Sequence, residues 1–116
     1  MATITRFEPG PRMSKAVVHG DNVYLAGIVA DNPKADVAAQ VAQVLAEIDR
    51  LLALAGSSKS KMLTATILLA DMKDFAVLNV AWEPWIDPAN PPTRATFQAP
   101  LATPDYKVEI IVTAVK

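Results

Sequence analysis

Two charged side chains stand in settings that suggest chemistry. Arg94 lies in PPTRATFQ (91–98), directly after Pro91-Pro92-Thr93 at the mouth of a strand. The prolines lower the entropy of that approach, so the guanidinium is presented from a stiff base. Glu109 lies in VEIIVTAV (108–115), a strand otherwise built of apolar residues and one threonine. A buried, unpartnered carboxylate is costly, so Glu109 must be paired, neutralised or exposed. Period-two alternation puts Arg94, Thr96 and Gln98 on one face of their strand, with Ala95 and Phe97 on the other. Glu109 shares a face with Ile111, Thr113 and Val115, opposite Val108, Ile110 and Val112. The short connection between the two strands predicts antiparallel neighbours with an ion pair or a pocket between them. Two readings of that pair stay open. One is a plain Arg94–Glu109 salt bridge at a subunit interface. The other is a small anion site, where the planar fork of Arg94 holds a carboxylate and Glu109 handles a proton or orients a water.

Other machinery is missing. The lone histidine, His19, adjoins a turn, and a Ser-His-Asp reading needs Ser14 or a distant serine with Asp21, which nothing places together. The four glycines, at 10, 20, 27 and 56, match neither a phosphate-binding loop nor a dinucleotide fingerprint. There are no cysteines, which excludes disulfides, thiolate metal sites and Cys nucleophiles, and no clustered ligands suggest a metal. Trp82 and Trp85 are three apart on a helix, the spacing of core packing rather than a stacking platform for bases.

The elements that must position Arg94 and Glu109 are readable from periodicity. Residues 2–7 form a short strand, ended by Pro9-Gly10-Pro11. SKAVVHG and NVYLAGI flank Gly20-Asp21-Asn22 and predict a hairpin. From Asp36 to Ala55, apolar residues at 37, 41, 44, 45, 48, 51, 52 and 55 make one stripe of a helix. Gln40, Gln43, Glu47 and Arg50 take its other side, Asp36 is its N-cap and Gly56 ends it. MLTATILL (62–69) predicts a strand covered on both faces, and Asp71 to about Trp85 a second, less regular helix with Phe75, Leu78, Trp82 and Trp85 on or near one face. After the stiff Pro88–Pro92 loop come two closing strands, near 94–99 and 106–115. The order β-β-β-α-β-α-β-β predicts an α+β domain, a mixed sheet with both helices on one face.

The 116 residues fit one domain. Apolar residues make up 52%, high for so small a monomer, which suggests an apolar face buried against other subunits. Net charge is −1, with no Lys/Arg cluster beyond Lys59 and Lys61, so no nucleic-acid partner is expected. The start, MATITRFEPG, lacks the apolar stretch of a signal peptide, and no apolar run is long enough to span a bilayer. A cytoplasmic protein without a membrane partner is expected.

Three stretches carry a resemblance to a known family: YLAGIVADNP, QVAQVLAEIDRLLALAGSSKSKMLTATILLADMKDFAVLN and PPTRATF…VEIIVTAV. On these the chain resembles the RidA (YjgF) proteins over most of its length. The resemblance implies a chorismate-mutase-like fold with a six-stranded sheet, assembled as a homotrimer with clefts between subunits. It also implies hydrolysis, without a cofactor, of reactive enamine/imine intermediates such as 2-aminoacrylate to 2-keto acids and ammonia. Arg94 then matches the clamp on the substrate carboxylate, Glu109 the residue beside the attacking water, and Asn79 an asparagine of the second helix. Deaminase members usually carry a tyrosine where this chain has Met13, a serine at Ala26 before Gly27, and commonly a cysteine at Thr96. Thr96 keeps a hydroxyl, whereas Met13 and Ala26 cannot replace the hydrogen bonds of tyrosine and serine. The alternative is therefore a divergent or non-catalytic member binding a small carboxylate metabolite. A ribonuclease role, also attached to the family, is opposed by the net charge, the missing basic stripe and the absence of a histidine pair.

Overall fold

The computed structural model describes residues 2–116. Six strands, β1 (Ile4–Phe7), β2 (Ala16–His19), β3 (Asn22–Leu25), β4 (Met62–Leu69), β5 (Thr93–Gln98) and β6 (Val108–Val115), form one sheet in the order β1-β2-β3-β6-β4-β5. Helices α1 (Val37–Leu54) and α2 (Phe75–Trp85) complete the β-β-β-α-β-α-β-β order. β4 and β5 are parallel, and every other pair is antiparallel. The β2–β3 hairpin closes through Gly20-Asp21 with His19 opposite Asn22, and Gly20 has φ +61°. A positive φ at the first central position alone is the sign pattern of a type II′ turn, whose twist suits a two-residue hairpin.

α1 starts where Asp36 accepts a hydrogen bond from the Ala39 amide at 2.9 Å. It stops at Gly56, φ +84°, where Gly56 N–H donates to Ala53 O and Ser57 N–H to Leu52 O. That pair of bonds is a Schellman motif. The stripe Val41, Val44, Leu45, Ile48, Leu51 and Leu52 is buried against Val23, Leu25, Ile110, Val112 and Ile67 of the sheet. Asp71 accepts from the Lys73 amide and caps a 3-10 turn, Met72–Asp74, which runs into α2. Leu78 and Trp82 are buried beneath α2, Trp85 is half-buried and Phe75 remains exposed. The tryptophan rings lie 5.4 Å apart and Trp85 Nε1 donates to Asp49 Oδ2 of α1, so both pack between the helices.

Three expectations are corrected. β5 and β6 are not neighbours: the β4–α2–β5 crossover lays β5 outside β4, and the chain then returns to place β6 on the other flank of β4. Within one chain β4 is covered on one face only, since both helices pack on that side and Thr64, Thr66 and Leu68 keep solvent contact on the other. Gln40 does not face solvent. Its amide is wholly buried, shares its two N–H groups among the carbonyls of Pro33, Ala35 and Asp105 and accepts from the Lys107 amide, clasping the loop before α1 to the loop before β6.

Candidate active site

The register of β5 decides where Arg94 goes. Arg94 pairs with Ala65 and Thr96 with Ile67, both buried on the helix-covered face of β4. Arg94 therefore emerges under α2 at the sheet's edge. Its Nη1 donates to Asn79 Oδ1 at 2.9 Å, and its Cζ lies 5.6 Å from the rings of both Phe75 and Trp82. Two ring faces and one amide hold the guanidinium by cation–π attraction and a hydrogen bond. Among the described residues no carboxylate lies within salt-bridge distance of Arg94. A cation with most of its five N–H donors unspent is equipped to take a planar anion. Thr96, two positions on, has a buried hydroxyl without a hydrogen-bond partner among the described residues.

Glu109 lies on the other face. Val108, Ile110 and Val112 point into the core, so alternation turns Glu109, Ile111 and Thr113 to the open side, Glu109 next to Leu68. Its carboxylate rests on Gly27: a Cβ on Gly27 would collide with Oε2 and lie 3.0 Å from Cδ. Paired hydrogen bonds between Ile28 and Ile110 (2.9 and 3.0 Å) lock the 26–28 segment against β6, and Ala26 N–H donates to Lys15 O. Met13, Ala26, Gly27, Ile28 and Val29 wall a cavity of about 310 Å³, whose lining is completed by Lys15 and by Glu47 of α1; Gly27 is the one of these residues shown to touch the Glu109 carboxylate.

The site residues named from sequence accordingly gather in two groups. Arg94 and Asn79 meet under α2, with Thr96 on their face of β5; Met13, Ala26 and Gly27 gather past the end of β3, where Gly27 also meets the Glu109 carboxylate. One chain does not join the groups. β4 runs between their strands, separating the backbones by about 10 Å across the sheet, and the side chains leave opposite faces. No Arg94–Glu109 pair exists within the chain.

Two features were missed from sequence. Arg50 is bidentate to both Glu8 (2.7 and 2.9 Å) and Glu47 (2.6 and 2.9 Å), with Lys15 3.8 and 3.9 Å from the same carboxylates. The Arg50 hydrogen bonds hold both carboxyls below their ordinary pKa and raise that of the guanidinium. Glu47 and Arg50 are three apart on α1, which was a visible signal. Glu8, which joins them from the end of β1, takes φ +49°. Arg6, Arg12 and His19 line a groove of about 640 Å³ on the open face, a cationic grouping assembled from three segments. His19 itself is exposed and hydrogen-bonds neither Ser14 nor Asp21 among the described residues. No group of three Asp, Glu or His among the described residues is placed to hold a metal ion, and no helix is long and apolar enough to cross a membrane.

Comparison with known proteins places these features in a family. The family model described as Endoribonuclease L-PSP matches residues 3–116. A RutC family protein of Haemophilus influenzae is 48% identical over 113 residues, 97% of each chain. A 2-iminobutanoate/2-iminopropanoate deaminase of Escherichia coli is 30% identical over 104 residues, 84% of this chain and 81% of that one. The crystal structure of a YjgF-family member from Neisseria meningitidis superposes with a TM-score of 0.95 at 44% identity, covering 98% of this chain and 95% of the other. The six-stranded sheet under two helices is thus the chorismate-mutase-like fold of those proteins, and the chain belongs to the RidA (YjgF) family.

Proposed function

We propose that the protein hydrolyses small 2-imino acids, and their enamine tautomers, to 2-keto acids and ammonia in clefts between the subunits of a homotrimer. The observation that carries this reading is the division of the site. Arg94 with Asn79 makes an anion fork, Glu109 rests against Gly27, and they lie on opposite faces of one sheet. Contact between two copies is the arrangement that brings the halves together. The open face offers apolar surface for it: Tyr24, Phe97 and Ile111 are 48%, 49% and 37% exposed.

In such a cleft Arg94 of one copy takes the substrate carboxylate, and Glu109 of the next faces the imine carbon. With the substrate as its iminium, Glu109 accepts a proton from water as the water oxygen bonds to that carbon and the C=N π pair moves to nitrogen, giving a carbinolamine. Glu109 returns that proton to nitrogen. The C–N bond breaks with its electron pair going to nitrogen while Glu109 takes the hydroxyl proton as C=O forms, and ammonia leaves the 2-keto acid. A relative 30% identical is named for this activity, which supports the reading.

The second reading, binding of a small carboxylate without turnover, is favoured by one observation. Met13 and Ala26, which line a cavity together with Gly27, present no side-chain donor to a water. Ribonuclease activity, which the matching family model's description names, lacks support in a chain of net charge −1 with one histidine.

The test is competition with semicarbazide for imines formed in situ by amino-acid oxidases. Wild type should lower trapping and Arg94→Ala should not. Equal trapping with and without wild type would leave the binding reading.

A further inference from the structure

We propose that the groove formed by β1, β2 and the loop joining them binds a small phosphomonoester, its phosphate held by Arg6, Arg12 and His19 and its apolar body laid against the loop. Neither Arg94 nor Glu109 lines this groove, and the proposal does not rest on the hydrolase reading.

Placement follows from strand pairing. Arg6 stands opposite Val17, and Ile4 opposite His19. Ala16 and Val18 are buried on the helix-covered side, so alternation turns Ile4, Arg6, Val17 and His19 to the open face. Arg6 and His19 are diagonal neighbours there, roughly 7–8 Å apart, a gap that one phosphate bridges once an arginine side chain leans in. The loop at 8–15 supplies Arg12. Pro9 and Pro11 fix two of its φ angles and Gly10 N–H donates to Met13 O at 2.7 Å, so Arg12 comes from a stiff turn.

Charge gives the class of ligand. Among the described residues neither arginine has a carboxylate within salt-bridge distance, and no Asp or Glu lines the groove. Arg50 and Lys15, by contrast, are matched by Glu8 and Glu47. One guanidinium fork saturates a carboxylate. Two forks, an imidazole that offers an N–H in either protonation state and the half-buried Ser14 suit the three free oxygens of a phosphate.

Size and walls give the rest. A groove of about 640 Å³ is far more than a bare phosphate fills and lies in the range of small-molecule sites. Ile4, Pro9, Pro11, Met13 and Val17 supply apolar surface for an organic body. A nucleic-acid strand fits less well, because a chain of net charge −1 offers no basic track to carry it onward.

The chain has one histidine, so the ring protons of His19 give NMR signals from the site itself. The experiment titrates the full chain, at pH 7.5 and fixed ionic strength, with phenyl phosphate, inorganic phosphate and phenylacetate. At that pH the phosphomonoester is mainly a dianion. Expected is a saturable shift of the His19 signals, with phenyl phosphate at least about tenfold tighter than the other two. Inorganic phosphate lacks the apolar body and phenylacetate the second charge. Arg6→Gln and Arg12→Gln should each weaken phenyl phosphate about tenfold, the worth of one charge-assisted hydrogen bond, while Arg94→Ala leaves its affinity unchanged. Both arginines are exposed, and circular dichroism checks that the variants are folded. The absence of a saturable shift, as where a neighbouring copy fills the groove, overturns the proposal. So does equal affinity for the three ligands, or a response that the Arg6 and Arg12 substitutions leave unchanged. Imine turnover is read separately by the semicarbazide competition, so either result leaves that reading where it stands.

Discussion

The carboxylate of Glu109 leans on the Cα of Gly27 so closely that a methyl group there would lie 3.0 Å from the carboxylate carbon. Gly27 is not in the left-handed region, so its small size, and not its backbone freedom, is what the position uses. Gly27→Ala should displace Glu109 without straining the chain. The expected result is a fall in kcat of about a hundredfold with little change in melting temperature, from a misplacement near 1 Å. Single-turnover kinetics beside a thermal melt checks it, and an unchanged kcat would separate Glu109 from the chemistry.

Asn79 holds one of the Arg94 N–H groups while Phe75 and Trp82 hold its plane. Asn79→Ala should loosen the fork and raise KM for 2-imino acids by about three- to tenfold, the worth of one hydrogen bond, with kcat less affected. Trp82 also gives a direct signal. Carboxylate binding at Arg94 should change tryptophan fluorescence, and Arg94→Ala should abolish that response.

Gln40 is the buried polar residue on which stability should depend most visibly. Gln40→Leu strands the carbonyls of Pro33, Ala35 and Asp105 and the amide of Lys107. The expected cost is roughly 2–4 kcal/mol, read from urea unfolding at constant m-value. A cost within error of zero would mean that water replaces the amide in full.

Acid should act through the Arg50 network. Glu8 and Glu47 have folded pKa values held below 4.5, first by hydrogen bonds from Arg50. A depressed folded pKa contributes stability that is present above the ordinary carboxylate value and is lost as pH falls through the folded one. Wild type should therefore lose stability below about pH 4.5 more steeply than Arg50→Met, the two profiles converging at low pH. Parallel profiles from pH 7 to 3 would show that the network does not stabilise the fold.

Much of this arrangement was legible in the sequence because it follows from local periodicity. The α1 stripe, the Asp36 cap, the Gly56 stop and the faces of Arg94 and Glu109 all depend on spacings of two, three and four. What was not legible depended on partners distant along the chain. The connection at 99–107 is equally compatible with β6 beside β5 or beyond β4, and hydrogen bonding of the whole sheet chooses the latter. Gln40 looked like a surface residue because nothing nearby announces the four backbone groups that surround it. Arg6, Arg12 and His19 come together only through the β1–β2 pairing and the loop between, so no run of basic residues foreshadows their groove.

β6 follows the other five strands in chain order and yet lies inside the sheet, bonded to β3 on one side and to β4 on the other. Until residues 108–115 arrive, β1–β3 and β4–α2–β5 share no strand–strand hydrogen bonds, and each presents an unpaired inner edge. Closing the sheet joins contacts far apart along the chain, each of which carries a loop-closure entropy cost. A newly made chain is exposed to wrong edge-to-edge pairing through most of its synthesis, and the same stretch that carries Glu109 ends that exposure.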